Sequence, residues 1–473
     1  MLSKELSAIS GSKYVSEDDF ILFSYSRDSG PFPKRKPGVV VRPGSEEEIV
    51  EIVRLANRDL IPIIPRGGGA SLFGLPINIP GRSIILDVTR LNRVIEINDK
   101  NMTVTTQCGI TTSELGTVLE KNGYYANLML MPYYTDTLGG ALSGVNGGGW
   151  PLDFPSAGTN WLNIMGLKVI LPDGDIIYTG GSPGTNVHTN RIFERSAGSP
   201  DITGLFIGDG GIFGIKIEAT LRIFPNFKII KGGSFLFDSF DNLWESMSRL
   251  MSIEPIPYNF AIGFEPDTTA LMSQGEDNKW SFLYSVRGYD DSNVNRRVET
   301  IERICKECKG KKGSKKLDEN VSIDGGRNIL SDMGKYVSLG LWVFMESFIS
   351  KERFAEHYKK CNEFIEKRWN EERLKERGAI RHNMILPYLH NLAFCGTNIS
   401  YPDLDRELRE KILKIAKDYY NFAVKQGGFL WAHQGYGAEV MASNWSPSFY
   451  TFVKRLKKAI DPNNIINPGL WRL

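Results

Sequence analysis

Three clusters of glycine crowd the first half of this chain and constrain its fold more than any other feature. They are Gly67-Gly68-Gly69 within Pro65–Gly74, the run LGGALSGVNGGG from Leu138 to Gly149, and GDGGIFG from Gly208 to Gly214. Glycine costs roughly 0.5–1 kcal/mol in regular structure, so clusters persist where the backbone takes positive φ or approaches another group closely. Successive N–H groups in such turns form a nest for anionic oxygens, and a helix N-terminus adds its dipole. The first cluster has these parts: the apolar run IPIIP leading in, three residues without side chains, then the hydroxyl of Ser71. Taken alone, it is equally a plain surface loop.

Spacing excludes several chemistries. A dinucleotide fingerprint needs GxGxxG, but Leu72 and Phe213 stand where the third glycine belongs, and no GxxxxGK[ST] occurs. Gly180-Gly181-Ser182-Pro183-Gly184 has the form GxSxG, but a nucleophile elbow needs a helix after the serine, and PGTNVHTN cannot start one.

With 473 residues, 41% hydrophobic and 24% charged, the chain can bury a large core in two or three domains. Its 57 basic and 55 acidic residues balance to +2, which excludes a whole-molecule field built for nucleic acid or an anionic membrane. The one basic run, KGKKGSKK at Lys309 to Lys316, reads as a solvated mobile loop. No apolar core interrupts the charges of the first twenty residues and no stretch reaches the length of a spanning helix, so a cytoplasmic protein is expected. Five cysteines suit a reducing compartment. Cys305 and Cys308 form a CxxC on a charged helix with no second pair, and no metal site is expected.

Periodicity gives the coarse architecture. After the strand VVV, Ser45 with Glu48 forms a capping box ahead of Ile49, Ile52, Val53 and Ala56 at helical spacing. IPIIP, SIILDV, VIEIND and MTVTTQ read as strands, and Thr111 with Glu114 caps a second helix. GLKVILPDGDIIYTG reads as a hairpin turning at Pro172-Asp173-Gly174. Beyond residue 227 glycine thins out, and strands such as WSFLYSV and LGLWVFMESF alternate with charged helices near 352–377 and 404–425. His357 sits in the first of these helices and reads as solvated; His188 follows a polar loop and reads as surface.

Four motifs in order carry a resemblance: PRGGGAS-xx-G at Pro65–Gly74, DTLGGA at Asp136–Ala141 followed by Asn146-Gly147-Gly148, GxxGxxGI ending at Ile215, and DPNNIINPG at Asp461–Gly469. Together they resemble the PCMH-type FAD-binding domain of the vanillyl-alcohol oxidase / p-cresol methylhydroxylase superfamily. The resemblance implies an α+β fold in which two α+β subdomains clasp FAD, an α/β cap covers the flavin, and a C-terminal segment returns to the FAD domain. The implied divisions are an N-terminal segment at 1–36, an FAD domain at 37–227, a cap at 228–425 and a closing segment at 426–473. Arg66, Gly67, Gly68, Gly69, Ala70, Ser71 and Gly74 would lie against the pyrophosphate. Asp136, Thr137, Leu138, Gly139, Gly140, Ser143, Asn146 and Gly148 would pass along the ribityl chain and flavin. Gly210, Gly211, Gly214 and Ile215 would meet the adenosine half, and Asn467, otherwise an Asn-Pro turn, would return to the flavin edge. The loop at 67–71 holds no histidine for a covalent tether, so non-covalent FAD is expected.

Such a fold implies hydride transfer from a hydroxyl-bearing carbon to flavin N5, with a protein group taking the hydroxyl proton. His433, in FLWAHQGYG, is the first candidate and Tyr436 the second. Arg381, His382 and His390 could line the cap side, with Arg381 available for a carboxylate, and Tyr401 is a weaker candidate. Relatives that use a metal carry HxGDGNxH, whereas this chain has HQGYGAEV, lacking the second histidine, the aspartate and the asparagine. A metal-assisted site is therefore not expected. The reading is oxidation of a small substrate, a D-2-hydroxy acid or an alcohol. The alternatives are flavin-dependent alkyl transfer like that of alkylglycerone-phosphate synthases, and aryl-alcohol oxidation. The electron acceptor (oxygen, quinone or protein) and any homo-oligomer are left open.

Overall fold

A computed structural model describes residues 2–28, 30–71, 74, 81–126, 134–144, 163–322, 341–388, 390–402, 405–430 and 437–473. These form two compact units, one of the residues up to Pro225 together with 437–473, the other of Asn226 to 430. The chain is α+β throughout.

The first unit holds two main sheets. In the four-stranded one, β1 (Val15–Ser16) runs antiparallel to β2 (Val39–Val41), while β2, β4 (Ile84–Asp87) and β3 (Ile63–Arg66) are parallel, in the order β1-β2-β4-β3. The parallel strands are apolar because both faces are covered. On one side Ile49, Ile52, Val53 and Ala56 of helix Glu46–Asp59 meet Val39, Val41, Ile84 and Leu86. Ser45 accepts from the Glu48 amide as its box requires, but the Glu48 carboxylate reaches Gly44 at 2.9 Å instead of Ser45, so that box closes one residue early. The box at Thr111 and Glu114 is complete.

The five-stranded sheet is antiparallel, with β5 (Val94–Asn98), β6 (Thr103–Gln107), β10 (Ile215–Arg222), β8 (Ile164–Ile170) and β9 (Ile176–Tyr178) side by side in that order. The predicted hairpin joins β8 to β9, with Gly174 at φ +84°. A short ribbon pairs β7 (Tyr124–Tyr125) with β11 (Phe224–Pro225).

The second unit is built on one antiparallel sheet in the order β15-β12-β14-β13-β17-β18-β16. Its strands are β12 (Ile229–Phe237), β13 (Phe260–Phe264), β14 (Trp280–Gly288), β15 (Lys311–Lys312), β16 (Leu341–Ser350), β17 (Ile380–Tyr388) and β18 (Leu392–Tyr401). Phe235, Phe282, Tyr284, Ile385 and Cys395 share the face covered by helices Phe240–Met251, Asp291–Glu307 and Phe354–Glu371. The basic run at 309–316 is not the loop expected of it. Lys311 and Lys312 pair with Leu236 and Phe235 as an edge strand, and Lys315 opens a helix, because the open edge of β12 offers hydrogen bonds that composition cannot reveal. Among the described residues no helix is long and apolar enough to cross a membrane.

Candidate functional site

All four motifs contain residues that meet one another in the first unit. Strand β3 delivers the glycine run onto the segment Thr135–Thr137. A Cβ on Gly67 would stand 1.9 Å from Thr137 Oγ1, and one on Gly68 1.8 Å from the Thr135 carbonyl oxygen. Glycine is required there by contact. At Gly69 it is also required by conformation, with φ +66°. Thr137 caps helix Leu138–Ser143 through the Gly140 amide at 3.3 Å, and Gly139 lies so close to Cys108 that an added Cβ would come within 3.0 Å of the Cys108 Cβ. At the far end of that helix the Gly208 and Gly210 amides donate to the carbonyls of Leu142 and Ser143, both at 2.8 Å.

The C-terminal motif completes the ring. Its chain runs beside β3 through a parallel bridge between Ile63 and Ile466, and the Asn467 amide donates to Ile63 O at 2.8 Å. Asn467 Nδ2 donates to Gly210 O at 2.6 Å, so this one residue ties the terminus to β3 through its backbone and to the Gly210 turn through its side chain. Asp461 accepts from the amides of Ile465 and Ile466, and from buried Lys457, whose ammonium also reaches Ile212 O and Ile466 O. Asp209 and Lys216 form a second buried pair at 2.8 Å, at the turn that presents Gly210 and Gly211. Gly214 packs on Val169, and Ile215 begins β10.

Features of this ring suit an anionic, extended cofactor. Among the described residues nothing accepts from the amides of Gly67, Gly68 and Gly69. Among the same residues, Gly211, at φ +71°, has open space where a Cβ would lie, and nothing bonds to buried Asn467 Oδ1. Half-buried Asp136 has its carboxyl pushed up to about 8 by desolvation, so it does not oppose an anion there as a full charge would.

The N-terminal segment supplies residues that the motif reading missed. Arg66 donates through both terminal nitrogens to Arg27 O, at 3.2 and 3.1 Å, and lies over the Tyr25 ring. Buried Asp28 accepts from the amides of Gly30 and Gly74, at 2.9 and 2.8 Å, and from Ser71, and so holds the far end of the glycine loop; burial raises its carboxyl to about 6. Nothing in local spacing marked Asp28, because its partners in the glycine loop, Ser71 and Gly74, lie more than forty positions away.

In the second unit register decides which candidates share a face. His382 pairs with Asn398, Met384 with Gly396, and Glu346 with Gly396, so His382, Asn398, Ser400 and Glu346 stand on the face opposite the three helices. Arg287 of β14 shares it. All five are buried, at 2% exposure or less. Burial lowers the His382 imidazole to about 4. The signal for this face was present in the sequence as single polar residues within apolar runs, such as Glu346 in LWVFMESF.

Arg381 and Tyr401 point to the helix-covered face instead. Arg381 lies 3.6 Å from both Glu265 and Glu366, above the Trp369 ring, so the carboxylates it meets are the chain's own. Tyr401 is fully buried and influenced by Arg409 of helix Arg406–Lys425. His390 is peripheral, bonded to Met251 O and Glu254. His357 is not solvated as its charged helix suggested. It is 3% exposed, because it falls on the inward stripe with Phe354, Tyr358, Cys361 and Ile365. Asn146, Gly148, His433 and Tyr436 lie outside the described residues.

The FAD binding domain family matches residues 37–180, and the family of FAD linked oxidases, C-terminal domain, matches residues 391–470. The chain is 24% identical to glycolate oxidase subunit GlcD of Bacillus subtilis, across 99% of this chain and 96% of the relative. It is 23% identical to alkyldihydroxyacetonephosphate synthase of Dictyostelium discoideum, across 92% of this chain and 73% of the relative. In three dimensions it matches 4-ethylphenol oxidase from Gulosibacter chungangensis with a TM-score of 0.83 at 19% identity, covering 100% of this chain and 96% of that one.

Proposed function

Because this chain belongs to the FAD-linked oxidases of the vanillyl-alcohol oxidase / p-cresol methylhydroxylase superfamily, and is an FAD-dependent oxidoreductase acting on CH–OH groups, we propose that its substrate is a small 2-hydroxy acid of the glycolate and D-lactate class. In this reading residues 37–227 form the FAD domain, 228–425 the cap, and 426–473 the segment that closes the cofactor site. The observation that carries the substrate assignment is the buried polar face of the seven-stranded sheet, where Arg287, His382, Asn398 and Glu346 share one side. Charged and hydrogen-bonding side chains on one face match a carboxylate and an adjacent hydroxyl, chemistry that an apolar phenol does not offer. The near full-length similarity to a glycolate oxidase subunit supports the same class.

Bound FAD supplies the hydride acceptor. The amides of Gly67, Gly68 and Gly69 would hold the pyrophosphate, the segment Asp136–Ser143 with Asn146 and Gly148 would follow the ribityl chain and flavin, the turn Gly210–Ile215 would meet the adenosine half, and Asn467 would close the flavin edge. Arg287 would bind the substrate carboxylate. His433, with Tyr436 in reserve, is our candidate for taking the hydroxyl proton.

The test is anaerobic flavin reduction with glycolate, D-lactate, L-lactate, larger D-2-hydroxy acids, 4-ethylphenol and vanillyl alcohol. Bleaching by a hydroxy acid at millimolar concentration or below, with the aromatic alcohols inert, is the expected result. Bleaching by the aromatic alcohols alone would overturn the substrate class. Exchange of a fatty alcohol into an acylated ketone phosphate without bleaching would move the protein to the alkyl-transfer chemistry of its Dictyostelium relative.

A further inference from the structure

Far along the chain from the flavin-binding motifs, the helix-covered face of the second unit holds an unusual buried group. His357 and Cys361, four apart on helix Phe354–Glu371, project together toward the sheet. There they meet Cys395 of β18 and its cross-strand partner Ser347 of β16. The three candidate ligand atoms of His357, Cys361 and Cys395 lie within 4.8 Å of one another, and no residue of the three exceeds 3–4% exposure.

We propose that His357, Cys361 and Cys395 form a zinc site, with the Ser347 hydroxyl at the fourth vertex. The distances suit it. Bond lengths of about 2.3 Å to sulfur and 2.0–2.1 Å to nitrogen or oxygen give tetrahedral N–S and O–S edges of about 3.5 Å. Cys361 Sγ to His357 Nε2 is 3.5 Å, and Ser347 Oγ to Cys395 Sγ is 3.5 Å. The third edge, Ser347 Oγ to His357 Nε2, is a 2.7 Å hydrogen bond that lengthens by roughly half an ångström as both atoms turn to the metal. Among the described residues nothing bonds to buried His357 Nδ1, so the ring proton can sit there and leave the Nε2 lone pair toward the thiols.

Charge favours occupation as well. Two thiolates, a neutral imidazole and a hydroxyl around Zn²⁺ sum to zero, so the closed site escapes the penalty of an isolated buried charge. The two thiol protons leave to solvent as the metal enters. Two soft sulfurs with one imidazole and an oxygen match zinc better than the hard cations, which take oxygen ligands only. The role is structural: the metal would bolt helix Phe354–Glu371 to strands β16 and β18.

The experiment uses the full-length flavoprotein, expressed with zinc and purified without chelator, with metal measured by mass spectrometry and flavin by absorbance. About one zinc per chain is expected, falling more than tenfold in Cys361→Ser, Cys395→Ser and His357→Gln while flavin per chain holds. Cobalt substitution should add tetrahedral d–d bands to the red of the flavin, absent from Cys395→Ser. Should the variants fail to fold, the wild type still decides: Cys361 and Cys395 must resist alkylation until a chelator is added. Equal labelling with and without chelator, zinc retained equally by the variants, or a wild type that stays metal-free after dialysis against zinc would each overturn the site. So would titration of only three of the five thiols in the unfolded, unreduced protein, which would make Cys361 and Cys395 a disulfide.

Discussion

Gly68→Ala isolates what the glycine loop requires. Gly68 does not sit at positive φ, so alanine meets no backbone penalty there, and the cost is purely one of contact. The new methyl would stand 1.8 Å from the Thr135 carbonyl oxygen, a backbone atom that cannot rotate away. Loop and carbonyl must separate by more than about 1 Å, an overpacking cost of roughly 1–3 kcal/mol. That displacement widens the amide nest, and if the same free energy is lost from cofactor binding, FAD affinity falls about 5- to 150-fold. Gly81→Ala is the control: at φ +74° with nothing within 4 Å, it carries conformational strain alone and should lower the melting temperature without touching FAD affinity. FAD dissociation constants from flavin fluorescence, with thermal melts of the apoprotein, check both. A Gly68→Ala protein that binds FAD within twofold of wild type would refute the steric argument and detach this loop from the cofactor.

Lys457→Met strands Asp461 in a fully buried position and frees two carbonyls, so denaturant unfolding should show a loss of about 3–5 kcal/mol; a loss under 1 kcal/mol would mean the ammonium is dispensable. Asp28 predicts a pH dependence: its carboxyl is raised from 3.8 to about 6 in the fold, so its contribution is greatest below pH 4 and is lost as pH rises through 6, by up to about 3 kcal/mol. Asp28→Asn should flatten stability over that window, and an unchanged profile would reassign it. His433→Ala should slow substrate-driven reduction per bound flavin by about 10²- to 10⁴-fold with flavin content preserved. Stopped-flow rates within a few-fold of wild type would remove His433 from the proton transfer.

Much of this protein is local and therefore legible in its residues. Capping at Thr111, the Pro172–Gly174 hairpin and the apolar runs of the buried parallel strands each depend on neighbours a few positions apart, and those neighbours are read directly from the chain. What tertiary structure decided is which of these pieces meet. Asn467 reaching Gly210, Ile466 lying beside Ile63, and Asp28 holding Gly74 are long-range contacts, set by packing and sheet order, that no periodicity encodes. The cap shows the division most sharply. Arg381 and His382 are adjacent in sequence, yet the pleat sends one to Glu265 and Glu366 under the helices and the other to the opposite, polar face. A shift of one residue in register would exchange their roles, and register is settled only when the whole sheet is assembled.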